Sequence, residues 1–367
     1  MRFAGRTRKT IVTGAGLAFG VAMAAPAHAA TWAVVHPQIQ QLSTVPYAPL
    51  ASVSANAANN AWAVGRDDGS ALLEHWNGAK WTASALPAGG CNASDSSCEL
   101  TGVSVDPTGG AIAVGNGILD AGAWVPTPLA YQWSGSAWRT LPLPSTIPYL
   151  SLAHVKAFSP SNAWAVGTAT DSAGTVSTPV VTHWNGTSWT QSSTPYTTTL
   201  SLTMNAVSGS SPSDVWIAGK AQTRAYRAHV AHSVLEHFDG RAWSQVAVPD
   251  DTGLVDLAAL TATDAWALTA DGVVLHWNGT AWTAATRFVG GTALAAASPT
   301  NVWVGGIIVN GKLSLAHYNG TTWTTSSAPA GIDLMTSGAA VSGSVWFAGL
   351  QWPPDATTMP ALLLSTG

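Results

Sequence analysis

The chain has 367 residues, of which 47% are hydrophobic and only 9% are Asp, Glu, Lys or Arg. Four of the 14 basic residues but none of the 18 acidic residues lie in the first 29 positions, so the rest of the chain carries a net charge of −8. This acidic balance argues against a nucleic-acid partner, because binding a polyanion requires a basic surface.

Residues 1–29 are predicted to be an export signal. Basic residues precede an apolar run from Ile11 to Ala25, and Ala27 and Ala29 form the A-x-A pattern of a cleavage site. The run is too short for a membrane span, which needs about 18 consecutive apolar residues, and no later segment approaches that length. We therefore expect a secreted protein, extracellular or associated with the cell envelope, that has no membrane span and is a monomer.

A short apolar phrase, AWAVG in its first copy, recurs seven times between positions 61 and 349. Each copy follows a turn signal such as SPSN or TATD, and each of the first six is followed by a phrase of the HWNGTSW type. Asn-Gly between two apolar runs is a strong hairpin signal. One repeat is therefore predicted to contain four antiparallel strands, A to D, with AWAVG as strand B and HW at the end of strand C.

The seventh repeat lacks the second hairpin, and a matching segment occurs at the other end of the chain. TWAVVHP at 31–37 matches the strand D segment AWSQVAVP at 242–249. An N-terminal strand that completes the last repeat closes a ring, as in β-propellers. The sequence therefore predicts an all-β fold over residues 30–367, a seven-bladed β-propeller of four-stranded antiparallel blades with its closing strand at 31–37. The blades are expected at about residues 48–87, 99–144, 150–195, 201–249, 254–286, 291–328 and 332–364.

The repeated phrases resemble those of two known groups of propellers. The N/D-G-x-x-W turn resembles a shortened Asp-box of sialidase-type propellers, and WAVG followed by DGxxW is similar to bacterial repeat propellers of the photosystem-assembly-factor type. The resemblance implies the fold alone. His stands where the Asp-box has Ser or Thr, and Arg241, one of six arginines outside the signal, lies in a repeat turn, so no sialidase arginine triad is carried over.

The repeated tryptophans and histidines are interpreted as packing residues. Alternation along strand B places Trp62 and Val64 on one face and small residues on the other, so that large groups pack on small ones between blades. Seventeen of the 19 tryptophans occupy repeat positions, which leaves Trp124 and Trp352. The equivalent histidines are expected to diverge around the ring, to bond to backbone groups and to form no metal site. They are His75, His183, His237, His276 and His317.

Cys91 and Cys98 bracket the short loop CNASDSSC. An oxidising compartment favours a local disulfide bond between them. The alternative, a metal or redox pair, lacks a further cysteine or a nearby histidine to complete a ligand set. We therefore predict a disulfide, no metal and no cofactor.

The irregular loops are expected to carry the function, because functional residues concentrate on loops held by a rigid scaffold. The B–C loops and D–A connections lie on one face of such a disc, which we call the loop face, and the uniform A–B and C–D turns lie on the other. For each tyrosine among the candidates, the alternative is a loop anchor packed on its own blade. The residues predicted to bind a ligand are Trp124, Trp352, Arg224, Tyr226, Arg227, Tyr47, Tyr149 and Tyr196.

Catalytic signals are weak. Glu74 and Glu236 lie in the repeated strand C phrase LEH and are expected to face the sheet edge, and no GxSxG, HExxH or phosphate-binding glycine motif is present. Paired carboxylates in the central funnel are the acid-base alternative. The acidic funnel candidates are Asp67, Asp68, Asp120 and Asp171.

Three functions follow from this pattern. The favoured hypothesis is a secreted binding module that holds an extracellular glycan or a protein partner through the loop face. The alternative is a glycan-active hydrolase or lyase with acidic residues in the funnel. A structural component of the cell envelope is the third.

Overall fold

The computed structural model describes residues 32–35, 50–67, 69–87, 90–91, 97–118, 126–144, 147, 149–171, 176–196, 201–222, 231–351 and 361–366. The predicted export signal lies outside the described residues. The described part of the chain consists of strands and turns, and it has no helix that is long and apolar enough to cross a membrane.

The described strands pair into seven four-stranded antiparallel sheets, each with the order A-B-C-D. We number the sheets 1 to 7 by the chain order of strand A. The A strands are β2 (Leu50–Ala57), β6 (Ser97–Val105), β10 (Leu150–Ser159), β14 (Ser201–Ser211), β18 (Leu254–Thr261), β22 (Ala293–Ser298) and β26 (Ile332–Val341). The B strands are β3 (Asn60–Asp67), β7 (Ala111–Ile118), β11 (Asn162–Thr170), β15 (Asp214–Gln222), β19 (Asp264–Thr269), β23 (Asn301–Val309) and β27 (Ser344–Gln351).

The outer strands follow the repeated HWNGTSW phrases. The C strands are β4 (Ser70–Trp76), β8 (Pro126–Trp133), β12 (Ser177–Trp184), β16 (Ala231–Phe238), β20 (Val273–Trp277), β24 (Lys312–Tyr318) and β28 (Ala361–Thr366). The D strands are β5 (Trp81–Ala83), β9 (Trp138–Thr140), β13 (Trp189–Gln191), β17 (Trp243–Gln245), β21 (Trp282–Arg287), β25 (Trp323–Ser327) and β1 (Ala33–Val35). β1 comes from the start of the chain and pairs antiparallel with β28, with Val34 opposite Leu364.

The sheets follow one another around a common axis. Strand A of each sheet lies beside strand A of the next, and β26 of sheet 7 lies beside β2 of sheet 1. Strands A are therefore innermost. This arrangement confirms the predicted all-β propeller of four-stranded antiparallel blades.

Neighbouring sheets pack a large face against a small one. Trp62 and Val64 of sheet 1 pack against Ala111, Ala113 and Trp138 of sheet 2, and all five are buried. Burying one tryptophan removes about 150–250 Å² from water, which stabilises an interface by on the order of 4–6 kcal/mol. Edge-to-face tryptophan pairs of this kind, with ring centroids 4.8–6.0 Å apart, are Trp62–Trp138, Trp164–Trp243, Trp216–Trp282, Trp266–Trp323, Trp303–Trp32 and Trp346–Trp81.

The C–D turns require glycine for two reasons. Gly78, Gly186 and Gly240 have φ angles of 90–93°, in the left-handed region that glycine adopts without strain. A Cβ atom on Gly240 would also lie 2.7 Å from the Cβ atom of Ser213, in the A–B turn of the same sheet. The conformation of the C–D turn and its closeness to the A–B turn therefore both select Asn-Gly or Asp-Gly.

The repeated histidine is held by an Asn or Asp side chain, so the predicted bond to backbone groups was wrong. In sheet 1, His75 lies opposite Trp62 across the strand pair, and its ring lies against the indole at 4.5 Å. His75 Nε2 lies 2.8 Å from Asn60 Oδ1. Asn60 begins strand B two residues before Trp62, and residues two apart share a face of a strand. The other Asx–His–Trp triads are Asn162–His183–Trp164, Asp214–His237–Trp216, Asp264–His276–Trp266 and Asn301–His317–Trp303.

Glu74 and Glu236 do not face a sheet edge, so that expectation was also wrong. They lie opposite Ala63 and Ile217 of strand B, on the face that packs against the preceding sheet, and both are fully buried. Glu236 Oε1 accepts a hydrogen bond from the Tyr196 N–H at 3.2 Å. Burial raises the pKa of Glu236 to about 7, although this hydrogen bond opposes the rise.

Candidate functional site

The candidate sites in the described structure are the axial channel and a groove on the loop face of sheet 2; two further pockets lie among the repeated A–B and C–D turns, near Gln132 and near His183. The channel is a cavity of about 170 Å³ between the strands A. The described groups of its wall that carry ionisable side chains are His154, Lys156 and Asp256. None of the three was selected from the sequence.

Side chains of strand A link each sheet to the next around this channel. Val105 N–H donates to Ser54 Oγ at 3.0 Å, which joins sheet 2 to sheet 1. The same kind of bond recurs from Val103 N–H to Ser52, Ala157 N–H to Ser104, Ala259 N–H to Ser208 and Val53 N–H to Ser337, at 3.3, 2.9, 3.0 and 3.3 Å. A serine in strand A therefore serves as the acceptor for a backbone donor of the following sheet.

Asp256 and His154 take the place of serine in this set. Both follow the register shift in strand A, as Ser52 does. Asp256 Oδ2 accepts the Leu294 N–H of sheet 6 at 2.7 Å. His154 Nδ1 lies 3.2 Å from the carbonyl oxygen and 3.4 Å from the amide nitrogen of Val207 in sheet 4. Both ionisable groups are thus used in bonds between sheets.

Burial shifts the pKa of each of these three groups in the direction that favours its neutral form. The pKa of Asp256 rises to about 7, although hydrogen bonds from Leu294 and Leu257 oppose the rise. The pKa of His154 falls to about 4, and that of Lys156 is also lowered by burial. These directions are expected for groups surrounded by protein with little water.

The predicted acidic candidates lie elsewhere. Asp67 ends β3 opposite Ser70, and Asp171 accepts a hydrogen bond from the Val176 N–H at 3.2 Å in the loop between β11 and β12. Both belong to B–C connections, and neither lines the channel in the described structure. Asp68 and Asp120 lie outside the described residues. No group of three or more His, Cys, Asp or Glu residues suited to a metal ion occurs in the described part of the chain.

The groove on sheet 2 is larger, about 380 Å³, and apolar. It lies between the start of β8 and the D–A connection that follows β9, and therefore on the loop face. The described side chains that line it are those of Pro126, Thr127, Pro128, Leu129, Ala130, Tyr131, Thr140, Leu141, Pro142, Leu143, Pro144, Ile147 and Tyr149. None of these residues carries a charge or a side-chain amide.

Tyr149 lines this groove directly before Leu150, the first residue of β10. Its φ angle is 53°, a left-handed conformation that is uncommon for a residue with a side chain. Its carbonyl oxygen accepts a hydrogen bond from the Thr170 N–H at 3.3 Å. Residues held in such conformations cluster at ligand-binding positions. Tyr149 is therefore the predicted ligand residue that the structure places in a cavity.

The two cysteines lie close to this groove. The Cα atoms of Cys91 and Cys98 are 6.0 Å apart, within the range that a disulfide bridges, and the disulfide between them stays a prediction. The Cys91 N–H donates to the Tyr131 hydroxyl at 3.3 Å. Burial raises the pKa of Tyr131, although the bond from Cys91 opposes the rise. The Cys91 backbone thus supports a tyrosine that lines the groove.

The free edge of β8 beside the groove has few donors. The Leu141 N–H donates to the Ala130 carbonyl at 2.8 Å, so Ala130 faces the strand D side. Alternation along the strand places Pro126 and Pro128 on that side too. Strand β9 covers only Tyr131–Trp133, and proline has no N–H to offer. A ligand there would contact side chains rather than extend the sheet.

Solved structures of other propellers are similar to this chain. YCF48 from Cyanidioschyzon merolae has a TM-score of 0.58 and 15% identity, over 92% of this chain and 99% of that one. A structure of YCF48 bound to D1 peptide has a TM-score of 0.56 and 16% identity, over 91% and 96%. The WD40 β-propeller domain of Doa1 has a TM-score of 0.55 and 10% identity, over 91% and 97%. At these identities the likeness shows the fold alone. No family model and no curated protein matches the chain.

The comparisons confirm the resemblance to photosystem-assembly-factor-type propellers at the level of fold. The Asp-box relationship stays a prediction. Among the predicted ligand residues, Tyr196 is half-buried against the core between sheets 3 and 4, as a loop anchor would be. The remaining predicted ligand residues lie outside the described residues; they are Tyr47, Trp124, Arg224, Tyr226, Arg227 and Trp352.

Proposed function

We propose that this protein is a secreted seven-bladed propeller that binds an extended, apolar segment of a partner protein in the groove on sheet 2. The seven sheets are the seven blades, and β1 is the strand that closes the ring. Export is inferred from the N-terminal sequence pattern. The occupant is inferred from the groove itself.

The composition of the groove carries this proposal. Its described lining consists of prolines, aliphatic side chains, threonines and two tyrosines. Glycan recognition needs planar polar side chains beside an aromatic ring, and the described lining has no Asp, Glu, Asn, Gln or Arg. An extended protein segment with prolines or leucines offers matching apolar surface, and tyrosine supplies a hydrogen-bonding tip beside it. Protein is therefore favoured over glycan as the partner.

Two further observations support the same function. The prolines of β8 remove edge donors, so recognition depends on the side-chain pockets of the groove. The structure of YCF48 bound to D1 peptide is an example of a propeller of this type in complex with a peptide. The hydrolase alternative has less support, because glycosidic acid-base catalysis uses two carboxylates and Asp256 is the one that lines the described channel.

The experiment is an array of peptides of about ten residues in length that vary in proline and leucine content, probed with the purified protein beside a glycan array. Binding of peptides is expected, with affinity weakened about tenfold by Tyr149→Ser, since an aromatic anchor at an interface contributes more than about 1 kcal/mol. Val289→Ser is the control, because Val289 is 66% exposed and lies outside the groove. Glycan binding without peptide binding, or equal peptide affinity in Tyr149→Ser, would count against the proposal.

A further inference from the structure

Lys156 is a cation in the axial channel without an anionic partner. It lies in β10, its side chain lines the cavity, and its Nζ atom is 5.7 Å from the centre of the Phe158 ring. Within the described part of the chain, no carboxylate lies within ion-pair distance of Nζ. Burial alone lowers its pKa, with no opposing contribution from a nearby acid. A half-buried ammonium group without an acceptor is costly, so a bound anion that pairs with it would relieve this cost.

Three serines share the level of Lys156 in the channel. Lys156 lies opposite Trp164 of strand B, and Ser54 and Ser208 lie opposite Trp62 and Trp216 in the same way. Ser104 is the equivalent residue of sheet 2, opposite Ile112. All four residues line the cavity. Strand A has alanine at this position in sheets 5, 6 and 7, at Ala258, Ala295 and Ala339.

The hydroxyl groups of these serines have protons to donate. Ser54, Ser104 and Ser208 each accept a backbone N–H of the next sheet through Oγ. A hydroxyl group that already accepts one bond can still donate its own O–H. No acceptor for these three O–H groups is found among the hydrogen bonds of the described residues. The level therefore combines one ammonium group with three hydroxyl donors and no carboxylate.

We propose that the axial channel binds a small oxyanion, a phosphate, sulfate or carboxylate group, through Lys156 Nζ and the hydroxyl groups of Ser54, Ser104 and Ser208. The cavity of about 170 Å³ is large enough for such a group. The nearest described level toward the loop face holds Asp256 and His154, whose side chains bond to neighbouring sheets. The wall continues in the other direction to Leu260 and Ala340, near the A–B turns, so the anion enters from that face. This site is separate from the groove on sheet 2.

The test is titration of the full-length mature protein with sodium phosphate, sodium sulfate or sodium acetate, against sodium chloride at the same ionic strength. Binding is followed by calorimetry and by the rise in melting temperature, since a ligand that binds only the folded state stabilises it. Saturable binding is expected for at least one oxyanion and not for chloride. Phosphate or sulfate binding without acetate binding indicates a tetrahedral ligand, and acetate binding indicates a carboxylate.

Lys156→Met removes the charge at nearly constant length and is expected to lower oxyanion affinity at least tenfold. Lys312→Met is the matched control, because Lys312 is exposed on β24 and lies away from the channel. Ser54→Ala removes one donor and provides a second variant, expected to bind several-fold more weakly. The proposal is overturned if the wild type shows no saturable oxyanion binding, or if Lys156→Met and Ser54→Ala both bind as tightly as the wild type.

Discussion

The Asx–His–Trp triads make a quantitative prediction at Asp214. This carboxylate is only 10% exposed in its side chain and lies 2.7 Å from His237 Nε2. It also accepts a short hydrogen bond from the Ser210 hydroxyl. Burial alone would raise its pKa, but the bonds from His237 and Ser210 outweigh burial and lower it. Removing the carboxylate leaves both partners without their acceptor.

We expect Asp214→Ala to reduce the free energy of unfolding by about 2–3 kcal/mol, because hydrogen bonds to charged groups contribute about 1.5–3 kcal/mol and a buried partner left unsatisfied adds to the loss. The stacking of His237 on Trp216, with ring centroids 4.1 Å apart, would weaken as well. For a chain of this size the melting temperature should fall by about 3–4 °C.

Asp214→Asn is the matched control, because Asn60, Asn162 and Asn301 accept the histidine in other sheets. This variant should lose less than about 1 kcal/mol, the range of a hydrogen bond between neutral groups. Urea unfolding followed by tryptophan fluorescence measures both variants. Equal stability of Asp214→Ala and Asp214→Asn would refute the reasoning, since it would mean that the acceptor at this position does not hold the histidine in place.

Two further predictions concern buried carboxyl groups and the C–D turns. Burial raises the pKa values of Asp256 and Glu236 to about 7. The contribution of each protonated carboxyl group to the stability of the fold is therefore full at low pH and is lost as the pH rises through 7. Between pH 6.5 and 8.5 each group should lower the free energy of unfolding by about 1 kcal/mol. The lowered pKa values of His154, His75, His183 and His317 affect stability only below pH 6.5. The assignment is contradicted if the wild-type melting temperature does not fall between pH 6.5 and 8.5. It is also contradicted if the fall is the same in Asp256→Asn and Glu236→Gln. Gly240→Ala should destabilise the protein by more than Gly343→Ala, because both glycines have positive φ but only a Cβ atom at position 240 would meet a neighbour. Denaturation of the two variants separates the effect of this contact from that of backbone strain. Equal losses of stability would show that the contact is relieved at no cost.

The repeats make the fold predictable because one pattern is enforced at every interface. Period-two alternation in AWAVG and the Asn-Gly turns specify strands, hairpins and large-on-small packing, and Trp62 and Trp138 meet as that alternation requires. The histidine acceptor was missed because Asn162, the last residue of SPSN, was assigned to the turn alone. Its distance of two residues from Trp164 places it on the same face, which is the signal that could have identified it.

The channel residues were harder to find from sequence. Strand A has a register shift, between Leu50 and Ser52 in β2 and between Leu254 and Asp256 in β18. An extra residue in a strand moves the following side chains to the other face, so alternation no longer tells which polar residue reaches the axis. Asp256 and His154 also occupy a position where the other sheets have Ser52, Gly102, Ala206, Leu294 and Ser337, so no repeated letter marks them.

Both proposed sites depend on which N–H and O–H groups are left without an acceptor after the sheets have formed their hydrogen bonds. A serine in strand A accepts a backbone N–H of the next sheet through its hydroxyl oxygen and keeps its own O–H. Wherever strand A has serine, the bonds between sheets therefore leave an O–H donor beside the axis. Asp256 bonds through both carboxylate oxygens and adds no donor when it is ionised. The groove on sheet 2 shows the reverse case, because Pro126 and Pro128 remove donors from an edge that strand D does not cover. Selectivity for an anion at the axis and for an apolar segment at the loop face thus depends on where N–H and O–H groups are left over, rather than on the aromatic residues that hold the sheets together.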